Sequence, residues 1–216
     1  MYKSQQDGKK ILLLLVAAAL ILAFVFTPRG NKHRAVAGLK DPVQKEAKGS
    51  VKTKAAGYDI TISFQYSYDI EALVISAKDY SGTSVGDKLA PKDLALAWGK
   101  VAEYNDKMDF HWRQSGRFYY WRLDSWDEVD KLGGEAVIVE HSCNNHLIPA
   151  DEIIMKQIKK IKAGDHIRLK GYLVNVTGND GNGRDFWWNT STTRSDSGSG
   201  ACELIYVTSV ENYGAG

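Results

Sequence analysis

A run of apolar residues near the N-terminus constrains this chain of 216 residues more than any other feature. The run covers residues 11–26 and contains no charged residue, proline or glycine. A helix of about 17 residues rises about 25 Å, which is close to the thickness of the hydrocarbon core of a bilayer. The sequence therefore predicts one transmembrane helix over residues 11–27, preceded by a short basic cytoplasmic tail, residues 1–10.

A cleaved signal peptide is the alternative for this segment, because Ala35, Val36 and Ala37 imitate a cleavage site. The apolar run is longer than usual in such peptides, and basic residues separate it from the small residues, which favours an uncleaved anchor. A short tail before a large C-terminal part is typical of signal anchors. We therefore expect a single-pass protein of the inner (cytoplasmic) membrane, with its C-terminal domain in the periplasm or extracytoplasmic space.

Charge is distributed unevenly along the chain. The first 34 residues contain six Lys or Arg and one Asp, whereas the whole chain has a net charge of only +2, so the remainder is acidic. Nucleic-acid backbones are bound by clusters of Lys and Arg. The sequence therefore predicts no nucleic-acid partner.

Composition divides the rest of the chain into two parts. Residues 28–56 are rich in Lys, Gly and Ala and nearly free of large apolar side chains, which predicts a flexible tether. From Tyr58 onward polar residues alternate with apolar ones such as Ile60 and Ile62, which is the period of a β-strand. We therefore expect one globular β-rich domain over residues 57–216.

This domain is predicted to combine two helices with several short strands. The expected helices cover residues 91–101 and 150–161, and a hairpin is expected around Gly116. Further strands are predicted at residues 135–141, 166–176, 186–188 and 204–210. This order favours the α+β class, with a small antiparallel β-sheet or an OB-like barrel in which Gly171 permits a strand to bend.

Five segments within residues 91–210 read LALAWGKV, QSGRFYYWR, NNHLIPADE, AGDHIRLKGYLVNV and SGSGACELIYV. They resemble an uncharacterised family of small bacterial membrane-anchored envelope proteins. That family has no known activity to transfer. The resemblance implies a bacterial envelope setting and says nothing about chemistry.

Cys143 and Cys202 are the two cysteines of the chain. Two cysteines outside the cytoplasm usually pair, and a bridge closing about 60 residues would contribute about 4 kcal/mol. We therefore predict a disulfide bond between them; two buried thiols in a cytoplasmic domain are the alternative. His141, Cys143 and His146 resemble part of a metal site, but a fourth ligand is not evident, so neither a metal nor a cofactor is predicted.

An enzymatic alternative rests on residues 197–202, which read SGSGAC. They resemble the S-H-G-C segment of L,D-transpeptidases, in which the Cys attacks a peptidoglycan stem peptide, although Ser199 is not followed by His. Without a disulfide, Cys202 or Cys143 would be the nucleophile and His146 or His166 the base. The alternative function is therefore a cell-wall-active thiol hydrolase or transpeptidase.

The chain contains six Trp and eleven Tyr, more than a domain of this size needs. The aromatic residues either fill the core or form a binding surface, for which the candidates are Trp112, Tyr120, His146, Trp187 and Trp188. Trp187 and Trp188 cannot both point inward on a regular strand. The leading hypothesis is a non-enzymatic, membrane-tethered envelope domain that binds or scaffolds an envelope protein or a cell-wall glycan. The oligomeric state is not predicted.

Overall fold

A computed structural model describes residues 34–196, 198 and 200–214. The predicted anchor, residues 11–27, lies outside these residues, as does the predicted cytoplasmic tail. Within the described part, no helix is long and apolar enough to cross a membrane.

The described residues form a mixed α+β domain with ten strands and five helices. The strands are β1 (Val43–Glu46), β2 (Ser50–Ala55), β3 (Tyr58–Asp79), β4 (Lys92–Ala97), β5 (Arg113–Ser115), β6 (Phe118–Tyr120), β7 (Ser142–Pro149), β8 (His166–Asn179), β9 (Asp185–Asn189) and β10 (Glu203–Asn212). The helices are α1 (Val85–Leu89), α2 (Gly99–Tyr104), α3 (Trp126–Leu132), α4 (Glu135–Glu140) and α5 (Glu152–Lys160). The predicted α+β class is confirmed.

Five strands pair in a ring, in the order β3, β4, β7, β10, β8 and back to β3. The pair β7–β10 is parallel and the other four are antiparallel. The 22 residues of β3 allow it to pair with β8 along most of its length and with β4 at its C-terminal end. Beyond the ring, β1 and β2 pair with β3, and β9 pairs with β8.

Two separate apolar clusters bury the ring strands, and β4 contributes both of its faces to the first of them. The inner cluster contains Tyr68 and Ile205, and the outer cluster contains Val176 and Leu204. Consecutive residues of a strand point to opposite faces, so Leu204 and Ile205 belong to different clusters. Gly171 lies where β8 pairs with β10. A side chain does not fit there, because a Cβ would stand 2.0 Å from the carbonyl oxygen of Tyr206.

The tether prediction is wrong for much of residues 28–56. Two of its segments form β1 and β2 on the edge of β3, and Leu39 is 9% exposed within the inner cluster. The polar composition of these strands is typical of an edge, where charged side chains discourage further pairing. The folded domain therefore begins before residue 57.

Two of the predicted elements between residues 91 and 141 have the wrong type. Residues 92–97 form β4 with every residue buried, and a helix follows only from Gly99. Residues 135–140 form α4, where a strand is predicted. The run in β4 is buried on both faces and therefore carries no strand period, whereas the apolar run of α4 is too short for its period to distinguish a helix from a strand. The helix at residues 150–161, the hairpin at Gly116 and the strand from residue 166 are confirmed.

Candidate functional site

Trp187 and Trp188 are neighbours in β9 and point to opposite faces, as expected for adjacent strand residues. The Trp187 side chain is 75% exposed. Trp188 packs against the outer cluster, and its ring centre lies 4.7 Å from that of His146. Of the two indoles, Trp187 is therefore the one that a ligand can reach.

Trp187 lies at one end of a polar row that crosses four strands. It stands opposite Thr177 of β8, which stands opposite Thr61 of β3, which in turn stands opposite Lys52 of β2. Directly opposed residues share one face of a sheet, and neighbouring strands lie about 4.8 Å apart. The row therefore extends over about 14 Å.

A second row runs beside the first, two residues further along each strand. It consists of Asn189, Asn175, Ser63 and Ser50 in the same strand order. The two rows together are called the polar platform below. Their hydroxyl and amide groups can both donate and accept hydrogen bonds, and one large exposed aromatic ring stands at their edge.

Two other candidate residues of the sequence have different surroundings. Trp112 donates a hydrogen bond from Nε1 to Asn105 Oδ1 at 2.8 Å and stacks on Phe110, with ring centres 4.7 Å apart. Tyr120 is 45% exposed, and the guanidinium of Arg113 lies 5.1 Å from its ring centre. Trp112 therefore packs within the fold, whereas Tyr120 remains accessible.

His146 lies in a buried ion-pair cluster on the outer face of β4 and β7. Its Nδ1 is 2.9 Å from Asp93 Oδ1, and Arg117 donates to the same oxygen at 3.0 Å and to Asp87 Oδ1 at 2.6 Å. The Arg117 guanidinium also lies 3.9 Å from the ring centre of Tyr80. This cluster, called the Arg117 cluster below, joins the β5–β6 hairpin to the sheet.

A cavity of about 460 Å³ opens between the β5–β6 hairpin, α4 and residues 193–196, 198 and 201–203. Consecutive aromatic residues form one wall: Phe118, Tyr119, Tyr120 and Trp121. The opposite side carries charged residues and both cysteines. This volume lies within the range of small-ligand sites.

The inner end of this cavity is formed by a buried ion pair. Glu203 of β10 is 1% exposed and pairs with the guanidinium of Arg194, which lies 5.9 Å from the ring centre of Tyr68. Burial raises the pKa of Glu203, against the opposing effect of Arg194. Within the described part, Glu203 Oε2, Asn145 Oδ1 and the Tyr68 hydroxyl have no hydrogen-bond partner.

Both cysteines are free thiols at this cavity. Cys143 Sγ lies 3.1 Å from Asn145 Nδ2, whereas Cys202 Sγ lies 3.8 Å from Asn144 Nδ2. Asn144 and Asn145 are adjacent in β7 and point to opposite faces, so the two thiols contact different asparagines although both line the cavity. The structure therefore does not contain the predicted disulfide, whose formation stays a prediction for the protein in its own compartment.

Burial also disfavours either thiol as a nucleophile. It raises the pKa of Cys202 to about 12, and it raises the pKa of Cys143 well above its ordinary value. Both candidate bases lie beside carboxylates: His146 Nδ1 is 2.9 Å from Asp93 Oδ1 without the geometry of a hydrogen bond, and His166 Nε2 is 2.8 Å from Glu71 Oε1. The described residues contain no group of three or more His, Cys, Asp or Glu side chains placed to hold a metal ion.

No family model matches the chain, and neither a curated protein nor a solved structure shows significant similarity to it. The resemblance to bacterial envelope proteins therefore stays a prediction. The function has to be inferred from the chemistry of the platform and the cavity.

Sequence reasoning missed two buried carboxylates, Asp93 of the Arg117 cluster and Glu203 of the ion pair at the cavity. Glu203 interrupts the apolar run of ACELIYV, and Asp93 precedes LALAW. A carboxylate beside residues that must be buried is the signal that could have identified both. The polar platform carries no such signal, because its rows exist only once four strands are in register.

Proposed function

We propose that this protein is a non-enzymatic, single-pass membrane protein whose extracytoplasmic domain binds a cell-wall glycan in the bacterial envelope. The polar platform is the observation that carries this proposal. It combines an indole that is 75% exposed with two aligned rows of hydroxyl and amide side chains, one of which ends in Lys52.

This combination suits a chain of sugar rings. An indole offers a large rigid apolar face against which the C–H face of a sugar ring can pack. Asn175, Thr177 and Asn189 lie within two residues of Trp187 in the strand register, where they can bond to ring hydroxyls. A row of about 14 Å would contact more than one sugar ring.

The strand connections support an OB-type barrel as the fold of this domain. The ring of five strands has one parallel pair, and α5 connects its third strand, β7, to its fourth, β8. OB-type barrels bind oligosaccharides and oligonucleotides. The net negative charge of residues 35–216 favours the first class of ligand over the second.

In OB-type barrels the second and third strands usually present the ligand, but here the β5–β6 hairpin covers them. Gln114 donates to Asn144 at 2.7 Å, and the Tyr119 hydroxyl lies 3.1 Å from the carbonyl oxygen of Ser142. The polar platform, on the extension formed by β2, β3, β8 and β9, leaves its side chains accessible instead.

The test is retention of the full-length protein, in neutral detergent, on purified insoluble peptidoglycan. We expect Trp187→Ala to reduce the retained fraction about ten-fold, because it removes the stacking surface. Trp126→Ala is the matched control, since Trp126 is 74% exposed in α3 and lies outside the platform. Equal retention of both variants, or no retention of the unmodified protein, would exclude the platform as a glycan site. Specific crosslinking of an envelope protein to the platform would favour a protein partner.

The membrane part of the proposal has its own test. A reporter that is active only outside the cytoplasm should work when fused after Gly216. Activity of a cytoplasmic reporter alone at that position would place the domain on the other side of the membrane.

A further inference from the structure

Glu203 lines the cavity behind the β5–β6 hairpin and contains a hydrogen-bond acceptor that lacks a donor. The residue is 1% exposed, and its Oε2 has no hydrogen-bond partner within the described residues. Arg194 Nη2 forms an ion pair with the other carboxylate oxygen, Oε1, without the geometry of a hydrogen bond. Leaving a buried acceptor unpaired is costly, so this carboxylate favours a group that brings a donor.

The charges lining the cavity favour the same kind of group. Three carboxylates, from Glu135, Asp196 and Glu203, face one guanidinium, from Arg194. The positive charge of Arg194 is already compensated by Glu203. The remaining charge is negative, so the cavity attracts a cation and repels an anion.

The aromatic wall can contact a cation directly. Aromatic ring faces attract positive charge through their quadrupole when the cation lies within about 6 Å of the ring centre. Tyr120 already has a cation of its own chain nearby, because the guanidinium of Arg113, which does not line the cavity, lies 5.1 Å from its ring centre. The rings of Tyr119 and Trp121 also line the cavity and are the ones left for a ligand cation.

We propose that this cavity binds a primary ammonium group, such as the amino group of a small amine or of an amino-acid side chain. A primary ammonium carries three donors and no acceptor, which complements the unpaired Oε2 of Glu203 and the carboxylates of Glu135 and Asp196. A volume of about 460 Å³ holds a short alkylammonium together with its chain. The site is separate from the polar platform, so it does not depend on glycan binding.

Calorimetric titration of the full-length protein in neutral detergent tests this proposal with three compounds. We expect n-butylammonium chloride to bind at least ten-fold more tightly than 1-butanol, which has a similar shape but no charge. Tetramethylammonium chloride, a cation without N–H donors, should bind more weakly than n-butylammonium. Equal affinity for n-butylammonium and 1-butanol would overturn the proposal.

Variants locate the binding in the cavity. Glu203→Gln keeps the side-chain shape and should weaken n-butylammonium binding at least ten-fold, whereas Glu46→Gln, on the exposed strand β1, should leave it unchanged. The melting curve of each variant shows that it is folded. If Glu203→Gln does not fold, Glu135→Gln at the cavity wall should still weaken binding several-fold. Unchanged affinity in the folded cavity variant would refute the assignment.

Discussion

Arg117 and Arg194 are two partly buried arginines that pair with fully buried carboxylates, yet their surroundings differ. Arg117 contacts Asp87, Asp93 and the carbonyl oxygen of Ala90, and aromatic rings flank its guanidinium. Arg194 pairs with Glu203 alone among carboxylates and lies on the wall of the cavity. The first arginine is enclosed by its own chain, and the second faces space that a ligand can enter.

This difference separates a structural role from a binding role. Arg117 has a φ of 69° in the hairpin turn, a conformation that only strong local contacts maintain in a residue other than glycine. Its carboxylate partners supply those contacts and hold the hairpin on the sheet. The Arg194 pair leaves acceptor atoms beside a cavity, which is where buried charges act on ligands.

The largest effect is expected when the Arg117 cluster loses its cation. Arg117→Met would leave the fully buried Asp93 without its arginine and should lower the free energy of unfolding by about 3 to 5 kcal/mol. Urea unfolding measures the loss. Arg168→Met is the control, because the Arg168 pair with Asp69 is about one-third exposed and should lose much less. Equal losses would remove the distinction between enclosed and accessible pairs.

The next largest effect is the difference in stability loss between variants of the two adjacent indoles of β9. Trp188→Ala should cost about 3 kcal/mol, because the indole packs on the outer cluster and on His146. Trp187→Ala should change stability by less than about 0.5 kcal/mol, because its side chain is exposed. Thermal and urea unfolding of both variants measure the difference. Similar losses would show that both indoles contribute to the core, which would remove Trp187 as a free contact surface.

These residues also show which parts of the structure were predictable. The opposite orientation of Trp187 and Trp188 follows from strand geometry alone, and the α5 helix follows from apolar spacing. The strands β1 and β2 were missed because their stability comes from the edge of β3, which is distant in sequence. The cavity is lined by residues 118–121 and by residues 193–196, 198 and 201–203, and no local pattern indicates that these segments meet.

A smaller effect concerns the pH dependence contributed by Glu203. Burial raises its pKa in the folded state, so the folded protein binds this proton more tightly than the unfolded chain does. Stability should therefore fall as pH rises from the ordinary pKa of Glu, about 4.3, through the raised folded value. Glu203→Gln cannot titrate and should lack this fall. Urea unfolding of both proteins between pH 4 and pH 8 measures the difference between their free energies of unfolding. The contributions of the other titrating groups cancel in this difference.

The pH dependence of that difference also tests whether Arg194 or burial has the larger effect on the pKa of Glu203. If Arg194 outweighed burial, the pKa of Glu203 would be lowered instead of raised. The unmodified protein would then gain stability relative to Glu203→Gln as pH rises. The sign of the slope of this stability difference against pH therefore shows whether the ionised carboxyl of Glu203 is stabilised by Arg194 or destabilised by burial.

The smallest effect concerns the thiols. Cys202 is only partly buried, and its Sγ lies 3.8 Å from both Asn144 Nδ2 and the carbonyl oxygen of Arg117, so Cys202→Ser should cost less than about 1 kcal/mol. Cys143→Ser should cost more, because that thiol is enclosed in the inner cluster. Since the two thiols are not bonded to each other and share no hydrogen-bond partner, their losses should add in the double variant.

The same arrangement predicts two reactive thiols in the denatured, unreduced protein. It also predicts slow alkylation of the folded protein at pH 8, because a pKa of about 12 leaves Cys202 almost entirely protonated. Thiol titration before and after denaturation measures both quantities. The disulfide predicted from the sequence gives the opposite pattern: no reactive thiol after denaturation, and single-variant losses that match and do not add. Fast alkylation of the folded protein would instead indicate an activated thiol and would favour the cell-wall enzyme over the binding domain.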